Sequence, residues 1–210
     1  KKIKGIIHIG AHELEEMNDY LNRGVKKIIW VEANPEKYEF IKKTIKNYKS
    51  MKLAQIAAGS KEREVALNIA NNGQSSSILE FGTHQRSYPN ILYIAKKLVP
   101  EMPLDKWIDI NVKRREEYNF INIDIQGYEL EALKGMEKQL KYVDQIYLEV
   151  NFRQVYRNCS ELKEIDKFLK KFNFYRVGMY RTNKGWGDAI YMNKFIFTSK
   201  IYYLIIIPLI

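Results

Sequence analysis

Residues 5–32 read GIIHIGAHELEEMNDYLNRGVKKIIWVE. An apolar run at 5–9 ends in Gly10. A segment with Leu14, Met17 and Leu21 on one helical face follows, Gly24 stops it, and a second apolar run fills 27–32. Short apolar runs bounded by turn formers are strands buried on both faces, and apolar residues three and four apart mark an amphipathic helix. The stretch therefore predicts strand, turn, helix over 13–23, and strand: one unit of a parallel sheet.

Two of its residues point to chemistry. In an open parallel sheet, ligands bind beyond the carboxyl ends of the strands. Gly10 ends the first strand, Glu32 ends the second, and they lie 32 − 10 = 22 residues apart. A tight-turn glycine and an acid about 20 residues later suit an adenosine, because a carboxylate accepts two hydrogen bonds from the vicinal ribose hydroxyls. Gly10 is followed by Ala11, His12, Glu13 and Leu14, so the full glycine-rich cradle of a pyrophosphate is absent. An adenosine ligand without phosphate, such as S-adenosylmethionine, is favoured over a dinucleotide.

The same alternation continues outward. Asn34 caps a helix with Pro35 at its first position, where the missing N–H costs nothing, and Tyr38, Ile41, Ile45 and Tyr48 give it an apolar stripe. Further strands are predicted at 53–57, 120–125 and 145–150. Helices are predicted at 129–140 and, capped by Ser160, along Leu162, Ile165, Leu169 and Phe172. Strands at 174–179 and 189–192 close the pattern around a turn at 183–187. Between about 60 and 103 the regularity breaks. A half-exposed strand at 65–71, the turn-rich 72–77 and a polar stretch at 82–90 with His84 and Arg86 predict an insertion or lid, with His84 on the surface. The whole of 1–210 reads as a single domain.

Composition narrows the classes. Hydrophobic residues make up 46%, which excludes a disordered chain. The net charge of +10 favours anionic partners, yet lysines scattered along helix faces, such as Lys42, Lys43 and Lys46, make an ordinary solvated surface. One cysteine, Cys159, allows no internal disulfide and no cysteine-rich zinc site. It fits a reducing compartment, so a cytoplasmic setting is expected, in a bacterium or a virus-infected host. The uncharged stretch 201–210, IYYLIIIPLI, is half the ~20 residues that span a bilayer. It is expected to pack as an edge strand or core element, or to touch a membrane or partner.

The strand ends carry Gly10-Ala11-His12, Glu32, Ala57-Ala58-Gly59, Asp124 and Glu149. Three acids at three strand ends are poorly explained by packing, since buried carboxylates need partners. His8, inside the first apolar run, reads as a core histidine.

The segments IIHIGAHELEE (6–16), IIWVEANPEKYEFIKK (28–43), NGQSSSI (72–78), FINIDIQGYELEALKGM (120–136) and GWGDAIYM (185–192) resemble FkbM-type methyltransferases, over roughly 6–193. The block 124–135 is the most specific. The resemblance implies a Rossmann-like class I methyltransferase fold: an α/β, mostly parallel seven-stranded sheet with helices on both faces and a terminal antiparallel strand. It implies S-adenosylmethionine as cofactor and methyl transfer to a hydroxyl, often on a sugar. Residues expected to hold the cofactor are Gly10, Ala11, His12, Glu16, Glu32, Ala33, Asn34, Ala57, Ala58, Ser75, Ser76 and Asp124. Gln126, Tyr128, Arg153, Trp186 and Asp188 are expected to meet the acceptor, with Tyr156 and Arg157 near an anionic one. Asp124, then Glu149, are the candidate bases, with His12 orienting. The sequence departs from the family at Gln126, where an acid is frequent, and at Leu14, where a second glycine is frequent. Asp124, Glu149 and Asp188 could gather a magnesium ion, but their spacing does not require one. Two other functions stay in play: an RNA methyltransferase, disfavoured by the lack of a stacking-aromatic motif, and a non-catalytic interaction protein using the C-terminal tail.

Overall fold

The computed structural model describes residues 2–197, so the expectations for 201–210 lie outside the described residues. The first part of the chain runs β1 (Gly5–Ile9), α1 (Met17–Asn22), β2 (Lys27–Val31), α2 (Pro35–Thr44) and β3 (Met51–Ala54). A middle part follows: β4 (Ala57–Ala58), β5 (Arg63–Ala70), α3 (His84–Ser87), β6 (Tyr93–Met102) and α4 (Leu104–Asn111). The last part is β7 (Phe120–Ile123), α5 (Glu129–Lys134), α6 (Glu137–Leu140), β8 (Gln145–Asn151), α7 (Leu162–Lys170), β9 (Phe174–Arg181), β10 (Trp186–Asn193) and α8 (Lys194–Phe197).

The main sheet has seven strands in the order β3-β2-β1-β7-β8-β10-β9. The first five are parallel, and β10 is antiparallel to both β8 and β9. This is the mostly parallel, Rossmann-like sheet that the alternation implied. Period-two alternation builds a core on each side. Ile7 and Ile9 face a large cluster with Ile121, Ile123, Leu133, Leu148 and Leu169 under α4 to α7. Ile6 faces a second cluster with Tyr20, Trp30 and Ile41 under α1 and α2. Each fully buried isoleucine or leucine contributes about 1.5–3 kcal/mol.

A smaller sheet, β4-β6-β5, is built by the middle part, with β5 and β6 antiparallel. Val65, Leu67, Ile69 and Val99 bury one side of it against Ala33 and Ile78. Buried Glu101 ties it to the main body, accepting from Arg63 Nε and from the Tyr128 hydroxyl at 3.1 Å.

Several element bounds differ from the sequence pattern, each for a local reason. The first helix starts at Met17, because His12 and Leu14 adopt φ of 41° and 65° and turn the chain before it. The helix expected over 129–140 is two short helices, broken at Gly135, where an added Cβ would lie 1.9 Å from the Gly59 carbonyl oxygen. The strand expected at 53–57 divides between the two sheets. The cap of α7 is Glu161, not Ser160, in a reciprocal box with Glu164. The stretch 82–90 contains α3, with His84 buried and stacked on Phe81 at 4.5 Å, so His84 is not a surface residue. Among the described residues no helix is long and apolar enough to cross a membrane.

Candidate functional site

A cleft of about 650 Å³, open solvent included, lies at the carboxyl ends of β1 and β2. Its floor is Gly10, Val31 and Glu32, and Ala33, Asn34 and Lys37 continue it into the start of α2. Ile56, Ala57, Ala58 and Leu67 come from the β3–β4 junction and the small sheet. Gly73, Gln74, Ser76, Ser77 and Ile78 form the opposite lip, and residues 124–126 and Tyr128 close the far end.

Gly10 is dictated by packing as well as by turning. Its φ is 90°, and an added Cβ would lie 1.8 Å from the Asp124 carbonyl oxygen. The turn after β1 therefore sits directly on the end of β7. Glu32 is anchored by the same turn. Its Oε2 accepts from His12 N at 2.9 Å and its Oε1 from Asn34 N at 2.7 Å. Burial pushes its carboxyl up from the ordinary glutamate range, and the two backbone donors pull the other way. One lone pair on each oxygen is left for a ligand. His12 Nδ1 pairs with Glu15 at 2.6 Å, while its buried Nε2 has no hydrogen-bond partner and packs close against Gly73. Leu14, standing where the family often has glycine, takes the left-handed conformation that glycine adopts without strain.

The far end of the cleft is acidic. One oxygen each from Asp124, Glu129 and Glu149 lie within 4.8 Å of one another. Asp124 is exposed to the cleft, while Glu129 and Glu149 are buried. Glu129 Oε1 accepts from Gly127 N at 2.9 Å and Ile125 N at 3.3 Å, but its buried Oε2 has no hydrogen-bond partner. Gln126, at φ 56°, donates its Nε2 to Asp124 at 2.6 Å and to Glu149 at 3.3 Å, and its Oε1 accepts from the Tyr156 hydroxyl. Desolvation first, and then mutual repulsion, raises these carboxyls. Glu129 is pushed up to about 7 and Glu149 well above its usual range. Asp124 rises chiefly because protein crowds it on most sides, although its carboxylate opens to the cleft. Asp188, paired across the ladder with Glu149, reaches about 6.

Of the residues expected at the cofactor, Gly10, His12, Glu32, Ala33, Asn34, Ala57, Ala58, Ser76 and Asp124 line the cleft. Ala11 is buried in the core, Ser75 is buried beside Asn72, and Glu16 lies 3.9 Å from His8 Nε2. His8 is a core histidine, its Nδ1 3.0 Å from the Tyr20 hydroxyl. Among the acceptor candidates, Gln126 and Tyr128 line the cleft. Trp186 donates to the Tyr88 hydroxyl and packs with Phe81 and Tyr156. Arg153 holds the Lys184 carbonyl and Arg157 the Phe81 carbonyl. Tyr156 is buried, and it meets the acids only through Gln126. The sequence reading missed Glu129, which looks like an ordinary helix-start acid. Its Oε1 accepts from Ile125 N and Gly127 N, donors of the turn before α5 and not of the helix itself, and no sequence pattern marks that. The sequence reading also missed Lys37 and the apolar walls Ile56, Leu67 and Ile78, which depend on the second sheet.

Solved structures share this fold at low sequence identity. An uncharacterised protein of Listeria monocytogenes serotype 4b superposes with a TM-score of 0.52 at 9% identity, over 97% of this chain and 66% of its own. TrmK of M. capricolum, in complex with the cofactor product S-adenosyl-homocysteine, gives 0.51 at 9% identity, over 90% and 62%. A candidate tRNA (m1A22) methyltransferase of Streptococcus pneumoniae gives 0.50 at 11% identity, over 90% and 63%. At these identities the likeness is one of fold, and the chain spans under two thirds of those structures' length. No curated protein matches the chain in sequence. The methyltransferase FkbM domain model, however, matches residues 8–175, from the core histidine of β1 to the start of β9, and the chain belongs to that family.

Proposed function

We propose that this chain is an S-adenosylmethionine-dependent O-methyltransferase whose acceptor is a sugar hydroxyl, in a glycan or a glycosylated metabolite. The observation that carries the reading is the pairing of two acids in one cleft. Glu32 is held by backbone donors where an adenosine's diol would be met, with no glycine-rich phosphate cradle beside it, and Asp124 opens into the far end. Membership of the methyltransferase FkbM family supports the methyl chemistry. The sugar rests on the family resemblance.

The residues present fit such a cofactor. Glu32 would take the ribose hydroxyls, Val31, Ile56, Leu67 and Ile78 would flank the flat base, and Gly10 and His12 would line its path toward Asp124. Bound there, S-adenosylmethionine supplies a methyl group already activated on a sulfonium. The protein's task is then alignment and proton removal. Alignment of an acceptor oxygen is worth at most ~7–11 kcal/mol. Gln126 holds the Asp124 carboxylate toward the cleft, and Asp124 takes the hydroxyl proton, with Glu149 behind it. Tyr128 shapes the acceptor side, its hydroxyl fixed by Glu101 and Arg63. The buried thiol of Cys159 suits a cytoplasmic setting.

Asp124→Asn should lower kcat by about 10²–10⁴-fold on a sugar acceptor while S-adenosylhomocysteine affinity, measured by calorimetry, stays within a few fold. Wild-type protein that binds no S-adenosylhomocysteine would sink the reading.

An RNA acceptor is the second reading. The Streptococcus pneumoniae relative in fold is described as a tRNA enzyme, which weighs against setting nucleic acid aside. RNA binding that falls steeply with salt would favour it, and a flat response would remove it.

A further inference from the structure

We infer that Asp124, Glu129 and Glu149 form a divalent-cation site at the far end of the cleft. Three oxygens within 4.8 Å of one another match two ligands on opposite sides of one calcium ion, since ~2.4 Å bonds span ~4.8 Å. A magnesium or manganese ion at ~2.1 Å needs only a slight contraction. All the ligands are oxygens, as these hard cations prefer.

A cluster of acids alone would not justify the inference. The independent observation is Glu129 Oε2. Glu129 is 0% exposed, and that oxygen has no donor of any kind in the protein. A buried carboxyl is paired, bound to metal or neutralised by a proton, because an isolated buried charge costs several kcal/mol; a cation held by three converging oxygens would take the proton's place. The charged groups that act most on Asp124, Glu129, Glu149 and Asp188 are these acids themselves, with Glu16 and His8 beside Asp124. Backbone donors reach only Glu129 Oε1, and the side-chain donor among these acids is the Gln126 amide nitrogen, which bridges Asp124 and Glu149. Turning that amide over offers its oxygen as a fourth ligand, and the Tyr156 hydroxyl then accepts from the nitrogen instead of donating to the oxygen. The polar surroundings thus accommodate a cation by one side-chain rotation.

The cation's binding does not depend on methyl transfer, but its chemical use rests on the function proposed above. At this position it would stand beside the acceptor oxygen and stabilise the negative charge left when the proton departs.

The test is isothermal titration of the chelator-treated protein with calcium, magnesium and manganese chlorides, with melting temperature as a second readout. One ion per chain, weakened about tenfold or more in Glu129→Gln and in Glu149→Gln, supports the site. If one variant does not fold, the other is read alone. Absence of binding to all three ions overturns the inference, as does binding that survives in the folded variants. S-adenosylhomocysteine titration of the same samples separates this failure from failure of the methyltransferase reading. A protein that binds the nucleoside but no cation keeps the function and loses the site.

Discussion

Glu32 and Glu129 are both carboxylates at the carboxyl edge of one sheet, and they are stabilised in opposite ways. Each Glu32 oxygen accepts a backbone N–H, one from the turn after β1 and one from the start of α2. The acid is fixed by these donors and still open on its ligand side. Glu129 spends one oxygen on two backbone donors and leaves the other buried with none, beside two further acids. Backbone donors come free with the turn geometry, so one acid per turn is easily satisfied. Three acids converging from β7, α5 and β8 exceed what those turns can donate. The first arrangement is complete in the protein alone, and the second calls for something added.

The comparison breaks most completely at Gly10, on which both ends depend. Gly10→Ala forces a Cβ onto the Asp124 carbonyl in a left-handed conformation. Overpacking and strain together should destabilise the fold by about 3 kcal/mol and abolish methyl transfer, as read by denaturant unfolding and an activity assay. Glu32→Ala tests the satisfied acid alone. It strands the His12 and Asn34 donors and removes the ribose acceptor. S-adenosylhomocysteine affinity should fall by about 10–100-fold, given ~1.5–3 kcal/mol for hydrogen bonds to a charged group. Cation binding at the acid cluster should be unchanged. An equal loss at both ends would mean the two acids are not separate devices.

The smallest effect concerns a third buried ionisable group, His84, which has neither solution. It stacks on Phe81, its Nδ1 lacks a partner, and burial pushes its pKa below the ordinary histidine range. The neutral ring is favoured in the fold. Stability is therefore whole above about pH 6.5 and falls as pH drops toward the depressed folded value, because the unfolded chain takes the proton first. A melting-temperature series should show that loss, and His84→Phe should flatten it. An unchanged slope in the variant would assign the loss elsewhere.

Much of the main sheet was legible because its strands are nearly continuous apolar runs, as in IIHI and KIIWV, and buried parallel strands have no other signature. The strand β6, YIAKKLVPEM, was illegible for the converse reason: two lysines and an internal proline hide it. Helix bounds failed where tertiary contact overrode periodicity, at Gly135 against Gly59 and at the turns of His12 and Leu14. In the site, Asp124 and Glu149 could be read from strand ends. Glu129 could not, since its anchoring depends on a turn in which Gln126 and Gly127 both take positive φ and aim Ile125 N and Gly127 N at its Oε1.

The contact between Gly10 and Asp124 has a mechanical meaning. With an α-carbon seated on a neighbouring carbonyl, the turn that would grip the nucleoside and the strand end that would face the acceptor behave as one solid hinge-less jaw. Any accommodation of a bulkier or differently shaped acceptor must come from the opposing lip around residues 73–78 or from the small sheet behind it. Engineering toward new acceptors should therefore vary that lip and leave the jaw untouched.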